Sequence, residues 1–183
     1  MRVSLILELC QTSGQERCSI SSNSKFRYNV VAVGGTFDVL HVGHEKLLSR
    51  AFDLGEQVLI GVSGDDLVAT LHKDHRVNPF KDRVRELKRF LRSRGWIKRS
   101  KISELRDSFG PALRRRQLQA LVVSEETRPT AIELNQMRSL RGLPPLRLYV
   151  VRLARARDGK PVSVTRIRKG EIDKTGKIVN KAR

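Results

Sequence analysis

Tyr28-Asn29-Val30-Val31-Ala32-Val33-Gly34-Gly35-Thr36-Phe37-Asp38-Val39-Leu40-His41-Val42-Gly43-His44 is the stretch on which the fold turns. Its apolar run, Val30-Val31-Ala32-Val33, has no polar alternation, the pattern of a strand covered on both faces in a parallel sheet. The run stops at Gly34-Gly35, where a chain without side chains can turn and come close to a ligand. A helix is expected from about Gly43, since Leu47, Leu48, Ala51 and Phe52 fall on one helical stripe and Gly55 supplies a stop. Strand, glycine turn and helix head in this order suit an anion, because the first amides of a helix have no partner within it. His41 and His44 are three residues apart, which puts both imidazoles on one side of a helical turn, able to donate to oxygens of one phosphate.

Other readings of the stretch are weaker. The Gly-x-x-x-x-Gly-Lys-Ser/Thr order of a P-loop is absent, and the glycine spacing differs from a dinucleotide fingerprint. Two nearby histidines also suit zinc, but no third ligand stands at a plausible spacing. They are otherwise two unrelated histidines of the surface or core.

Outward from this centre, strands and helices alternate. Val58-Leu59-Ile60-Gly61-Val62 reads as a second buried strand, and a short helix can start at Ser63-Gly64-Asp65-Asp66. A basic loop follows from His72 to Pro79. Val84, Leu87, Phe90 and Leu91 then share one helical face within residues 82–95. Residues 118–123 read as a strand, 129–141 as a helix closed by Gly142, and 146–153 as a last central strand, with a helix or turn at 165–169. The implied fold is α/β, a Rossmann-like doubly wound parallel sheet in a single domain, with ligands at the carboxyl ends of the strands. Residues 1–27 read as an extension, 28–175 as the domain and 176–183 as a tail. No repeat or heptad pattern is visible.

Composition narrows the classes. A chain of 183 residues with 39% hydrophobic and 31% charged side chains suits one compact domain. No stretch approaches the roughly 20 apolar residues of a membrane span. Glu8 interrupts the only faint secretory pattern, so a cytoplasmic location is expected. Cys10 and Cys18 match no zinc or redox spacing, which leaves a reduced protein as the simplest reading and a disulfide between them open. The net charge of +18 invites nucleic acid, yet no zinc-finger spacing or aromatic RNA-binding motif is present, and aromatic residues make up only 5%. Basic residues are scattered along the chain, so solvated helix faces and attraction of small polyanions account for most of the charge.

Gly35-Thr36-Phe37-Asp38 followed by His41-Val42-Gly43-His44 resembles the hallmark of the HxGH nucleotidyltransferase superfamily. Three further segments narrow the resemblance. They are Lys73 before Pro79-Phe80-x-x-Arg83; Val122-Val123-Ser124-Glu125-Glu126-Thr127, leading to Glu133, Asn135, Arg138 and Gly142-Leu143-Pro144-Pro145-Leu146; and Ser163-Val164-Thr165-Arg166-Ile167-Arg168-Lys169-Gly170-Glu171-Ile172-Asp173. Together they are similar to phosphopantetheine adenylyltransferases of the archaeal type, over about residues 28 to 175. The resemblance implies transfer of AMP from ATP to 4′-phosphopantetheine, giving dephospho-coenzyme A and pyrophosphate, with Mg²⁺ carried on the ATP and no metal site built by the chain. A cytidylyl- or adenylyltransferase with another phosphorylated acceptor such as FMN is the alternative enzyme, and a non-catalytic RNA-associated protein the alternative outside enzymes.

By the same resemblance, Gly35, Thr36 and Phe37 lie beside the phosphates, and Asp38 holds the loop rather than reacting. His41 contacts the ATP phosphates, and His44 stabilises the transition state at the α-phosphate. Lys73 bridges the acceptor phosphate and the α-phosphate, an exposed loop lysine being the plainer reading, and Thr36 and Arg83 serve the acceptor. Glu126, Thr127 and Arg128 are placed on the nucleotide side, with Glu133 either at the adenosine or simply a solvated or capping residue. Ser163, Thr165 and Arg166 hold the β- and γ-phosphates, or Ser163 or Thr165 is only a helix cap. Val164 stands where the family pattern has a second small hydroxyl residue, which shifts weight onto Arg166 and Arg168.

Overall fold

The computed structural model describes residues 25–71 and 75–179. Cys10, Cys18 and Lys73 therefore lie outside the described residues. The elements run in chain order as β1 (Tyr28–Gly35), α1 (Val42–Leu54), β2 (Gly55–Ser63), α2 (Asp65–Thr70), α3 (Phe80–Ser93), β3 (Ser100–Leu105), β4 (Ala120–Ser124), α4 (Arg128–Leu140), β5 (Arg147–Val151) and α5 (Val164–Arg168). All strand pairings are parallel, in the order β3-β2-β1-β4-β5. The expected α/β, Rossmann-like doubly wound sheet is what the chain forms.

The unbroken apolar runs are explained by two cores. Along β1, β2 and β4, alternate residues point to opposite faces. Val31, Val33, Val58, Ile60, Val62, Ala120 and Val122 join Leu47, Leu48, Ala51 and Phe52 of α1 and Leu87 and Leu91 of α3 on one face. Ala32, Leu59, Leu121 and Val123 join Ala131 and Leu134 of α4 on the other. Strand order reverses about β1, between its β2 and β4 neighbours, which opens a crevice at the carboxyl ends of β1 and β4.

Three local expectations change. Gly55 ends α1 in an extended conformation (φ −110°) and starts β2 at once. A Cβ there would stand 2.7 Å from Val31 Cγ2, so close strand approach explains this glycine rather than a left-handed cap. Gly142 does take the left-handed turn expected after α4, at φ +65°. The strand at 146–153 is shorter, and as β5 it lies at the sheet edge rather than the centre. The other edge strand, β3, had no sequence signature: four of the six residues of Ser100-Lys101-Ile102-Ser103-Glu104-Leu105 are polar, as suits an edge strand that is only partly covered.

A smaller apolar cluster of Ala154, Ala156, Val162 and Ile172 packs with Val42 and Ile167 beside the head of α1. Residues 176–179, read as part of a tail, are tied to it by the Ile172–Ile178 bridge and by Val179 N–H donating to the Glu171 carbonyl.

Candidate active site

A cavity of about 630 Å³ opens at the carboxyl ends of β1, β2, β4 and β5, within the usual size of a small-molecule site. Its floor is Gly34, Gly35, Thr36 and Phe37, and His41 and His44 stand on one wall. Phe37 holds the turn in place. It has φ +51°, a left-handed conformation that costs a side-chain-bearing residue on the order of 1 kcal/mol or more, and its ring is fully buried against His44 with centroids 5.2 Å apart. Arg83 braces the same turn from below. Its guanidinium is fully buried and donates to the carbonyls of Thr36, Ser63 and Asn78 and to Asp65. Expected on the acceptor phosphate, Arg83 is instead enclosed by protein oxygens, and its reach to the cavity is through the Thr36 backbone it holds.

The head of α1 is more occupied than a bare helix start. The Val42 amide donates to the Lys174 carbonyl, and the Gly43 amide donates to Nδ1 of His41, which serves as the N-cap. Two of the amides expected to face an anion are thus taken, and the polar work at this wall falls to the imidazoles. Because His41 Nδ1 accepts, its proton sits on Nε2, free to donate. Gly43 is required by this contact: a Cβ there would stand 2.9 Å from His41 Cε1. The two rings lie 4.0 Å apart. Burial pushes His41 down to about 4, and burial together with the charge of His41 pushes His44 down to about 3, from an ordinary 6.5. The Val39 carbonyl lies close enough to favour the protonated His44 ring slightly, although the buried Nδ1 has no hydrogen bond of good geometry. Burial thus favours the uncharged form of each ring, and negative charge developing beside them would oppose that shift.

Asp38 is buried behind the floor. Its carboxylate accepts from the Asn78 amide at 2.8 Å and from Arg168 through Nε and Nη2 at 2.9–3.1 Å, and faces His75 Nε2 at 3.5 Å. This fits the expectation that Asp38 holds the loop. The opposite wall carries Ser124, Glu126, Thr127, Thr130 and Ala131 after β4, and Ser163, Val164 and Thr165 at α5. Among the described residues, no group of three or more His, Cys, Asp or Glu is placed to hold a metal ion.

A family model described as cytidylyltransferase-like matches residues 32–170. Phosphopantetheine adenylyltransferase of Methanopyrus kandleri is 44% identical over 147 residues, covering 80% of this chain and 92% of that protein. The enzyme of the same name from Methanothermobacter thermautotrophicus is 40% identical over 159 residues, covering 87% of this chain and 94% of its own length. The chain belongs to the phosphopantetheine adenylyltransferase family. A crystal structure of a protein of unknown function from Archaeoglobus fulgidus, 34% identical, superposes with a TM-score of 0.60 over 66% of this chain and 87% of that one. A lipopolysaccharide core biosynthesis protein from Thermoplasma volcanium, 17% identical with a TM-score of 0.54, shares the fold.

Among the residues expected to form this family's site, Gly35, Thr36, Phe37, His41, His44, Glu126, Thr127, Ser163 and Thr165 line one cavity. Arg128 and Glu133 do not line it. Glu133 is exposed on α4, where helical spacing sends Ala131 and Leu134 inward and residue 133 outward. Arg166 turns away as well: Nε donates to Glu171 at 2.8 Å, and Nη1 and Nη2 to Asp158. Arg168, two residues on, returns to the floor through Asp38. Asn135 and Arg138, which helped mark the resemblance, are braces: Asn135 pairs both ways with the Leu146 backbone, and Arg138 donates to the carbonyls of Ala112, Arg115 and Pro144. The wall after β3, including Leu105, Ser108, Phe109 and Pro111, was not anticipated, because β3 itself was not. Neither was His75, whose place among charged loop residues carries no periodic signal.

Proposed function

We propose that this chain transfers AMP from ATP to 4′-phosphopantetheine, in the cytoplasm, forming dephospho-coenzyme A and pyrophosphate. The observation that carries the reading is a pair of half-buried imidazoles, His41 and His44, with ring centroids 4.0 Å apart on the wall of a cavity at the strand ends. The names and coverage of the relatives support the choice of acceptor. An acceptor phosphate oxygen attacks the α-phosphorus, the bond to the bridging oxygen of the β-phosphate breaks, and pyrophosphate leaves. No protein nucleophile enters; the chain supplies alignment and charge stabilisation.

In this reading His41 Nε2–H and the His44 ring donate to the oxygens of the α-phosphate, where charge grows in the transition state. Thr36 holds both phosphates near the floor, with Arg83 fixing its backbone from behind. Ser163 and Thr165 face the leaving pyrophosphate, and Glu126 and Thr127 the nucleoside. Lys73 keeps its assignment to the acceptor on sequence grounds. A magnesium ion suits this site as a companion of ATP, where it neutralises phosphate charge. The buried carboxylate of Asp38 already accepts from Arg168 and Asn78 and so builds no cradle for a resident ion.

Pyrophosphate release from ATP is measured with 4′-phosphopantetheine, and in parallel with FMN, for the unaltered chain and His44→Ala. Turnover with phosphopantetheine alone is expected, with kcat reduced by roughly 10²–10³-fold in the variant. Turnover with FMN only refutes the acceptor, and undiminished turnover in a folded His44→Ala refutes the role of the imidazoles.

A further inference from the structure

His75 joins two segments that the proposed chemistry treats separately. Its ring lines the cavity and its side chain is 13% exposed. Nε2 stands 3.5 Å from Oδ2 of Asp38, behind the floor, while Nδ1 stands 3.2 Å from the Thr165 hydroxyl on α5. Asp38 is itself held by Arg168 and the Asn78 amide, so one edge of the imidazole faces a braced carboxylate at 3.5 Å and the other a side chain that lines the site. Thr165 is half-buried on the five-residue α5, and the bond to His75 selects between the rotamers that a helical backbone leaves open to threonine. A hydroxyl both donates and accepts: where its oxygen accepts from Nδ1–H of His75, the Thr165 O–H is left to donate to an acceptor in the cavity such as a phosphate oxygen.

We propose that His75 is a positioning residue for nucleotide binding: anchored on Asp38, it fixes the Thr165 hydroxyl at the cavity wall, where that hydroxyl meets the β- and γ-phosphates of ATP. His75 touches no reacting atom. It links the turn that carries the reaction centre to the segment that holds the leaving group, and its loss weakens ATP binding rather than the chemical step. This rests on the nucleotide reading of the site above, though not on the identity of the acceptor.

The contact geometry supplies a test that separates positioning from general support. Asn at this position places its amide near where Nδ1 stands and reaches Thr165, whereas Gln reaches toward the place of Nε2 and Asp38. Binding of Mg·ATP to the full chain is measured by calorimetry without acceptor, and kcat and KM by pyrophosphate release. His75→Ala and His75→Gln are expected to weaken ATP binding by about 10-fold, equivalent to about 1.4 kcal/mol, with kcat at saturating ATP within about 3-fold. His75→Asn is expected to keep ATP affinity within about 3-fold. Thr165→Ala is expected to match His75→Ala, and the double variant to be no weaker than either single one, since both remove one interaction. Unchanged affinity in His75→Ala, rescue by Gln in place of Asn, or additive losses in the double variant would each overturn the proposal. If ATP binds as described and phosphopantetheine is not turned over, the acceptor assignment fails and the role of His75 stands.

Discussion

The heads of α1 and α5 face the same cavity and are built differently. Helix α1 has 13 residues, five of them buried, and its start is fixed by the Phe37 turn, the His41 cap and a backbone bond to Lys174. Helix α5 has five residues and none buried. Ser163 caps it weakly at 3.4 Å, and the ion pairs of Arg166 with Asp158 and Glu171, together with a four-residue apolar cluster, hold the segment around it. A reaction centre needs its donors placed within fractions of an ångström, which a densely packed core supplies. The segment around α5 has few buried contacts, and such segments open at lower cost.

The comparison breaks most readily at Gly43. A Cβ there would displace the His41 ring, so Gly43→Ala is expected to lower kcat by roughly 10²-fold while ATP binding through the α5 side stays within a few-fold; equal loss of both in a folded protein would mean that the two heads act as one unit.

Acid stability offers a second probe. Both ring pKa values are lowered by folding, so between about pH 6.5 and 4 the unfolded chain binds protons that the native chain does not. The contribution of His41 and His44 is therefore present above pH 6.5 and is lost as pH falls toward 4 and then 3. Denaturant titrations across this range should show a shallower acid limb in His44→Asn than in the unaltered chain, and an identical slope would contradict the buried, neutral state of that ring.

The smallest effect is expected at Arg166. Its side chain binds Asp158 and Glu171 rather than the cavity, so Arg166→Ala should change KM for ATP by less than about 3-fold, with a lower thermal midpoint as the segment loosens. A tenfold rise in KM would show that Arg166 exchanges these partners for phosphate during the reaction.

The fold was legible in the sequence to the extent that periodicity reports burial. The runs of β1, β2 and β4 are buried on both faces and read plainly, while β3 is covered only in part and did not. The signature turn was legible because its constraints are local: Gly35 faces the Phe37 ring, Gly43 clears His41, and the two histidines share one helical turn. Arginines were the least legible. Arg83, Arg138, Arg166 and Arg168 look alike in a chain with 37 basic residues, yet the first two are buried braces, the third closes a surface network and the fourth anchors Asp38.

By itself, the sequence determined the parallel α/β sheet, the glycine turn after its first strand and the pair of imidazoles at the head of α1. Each is signalled by residues near one another in the chain: unbroken apolar runs, paired glycines and a three-residue histidine spacing. Tertiary structure alone decided which charged side chains reach the cavity, that Asp38 gathers Arg168, Asn78 and His75 around one carboxylate, and that the segment after β3 forms a wall. Those outcomes depend on partners up to 130 residues apart, whose meeting is set by strand order and helix packing rather than by local spacing.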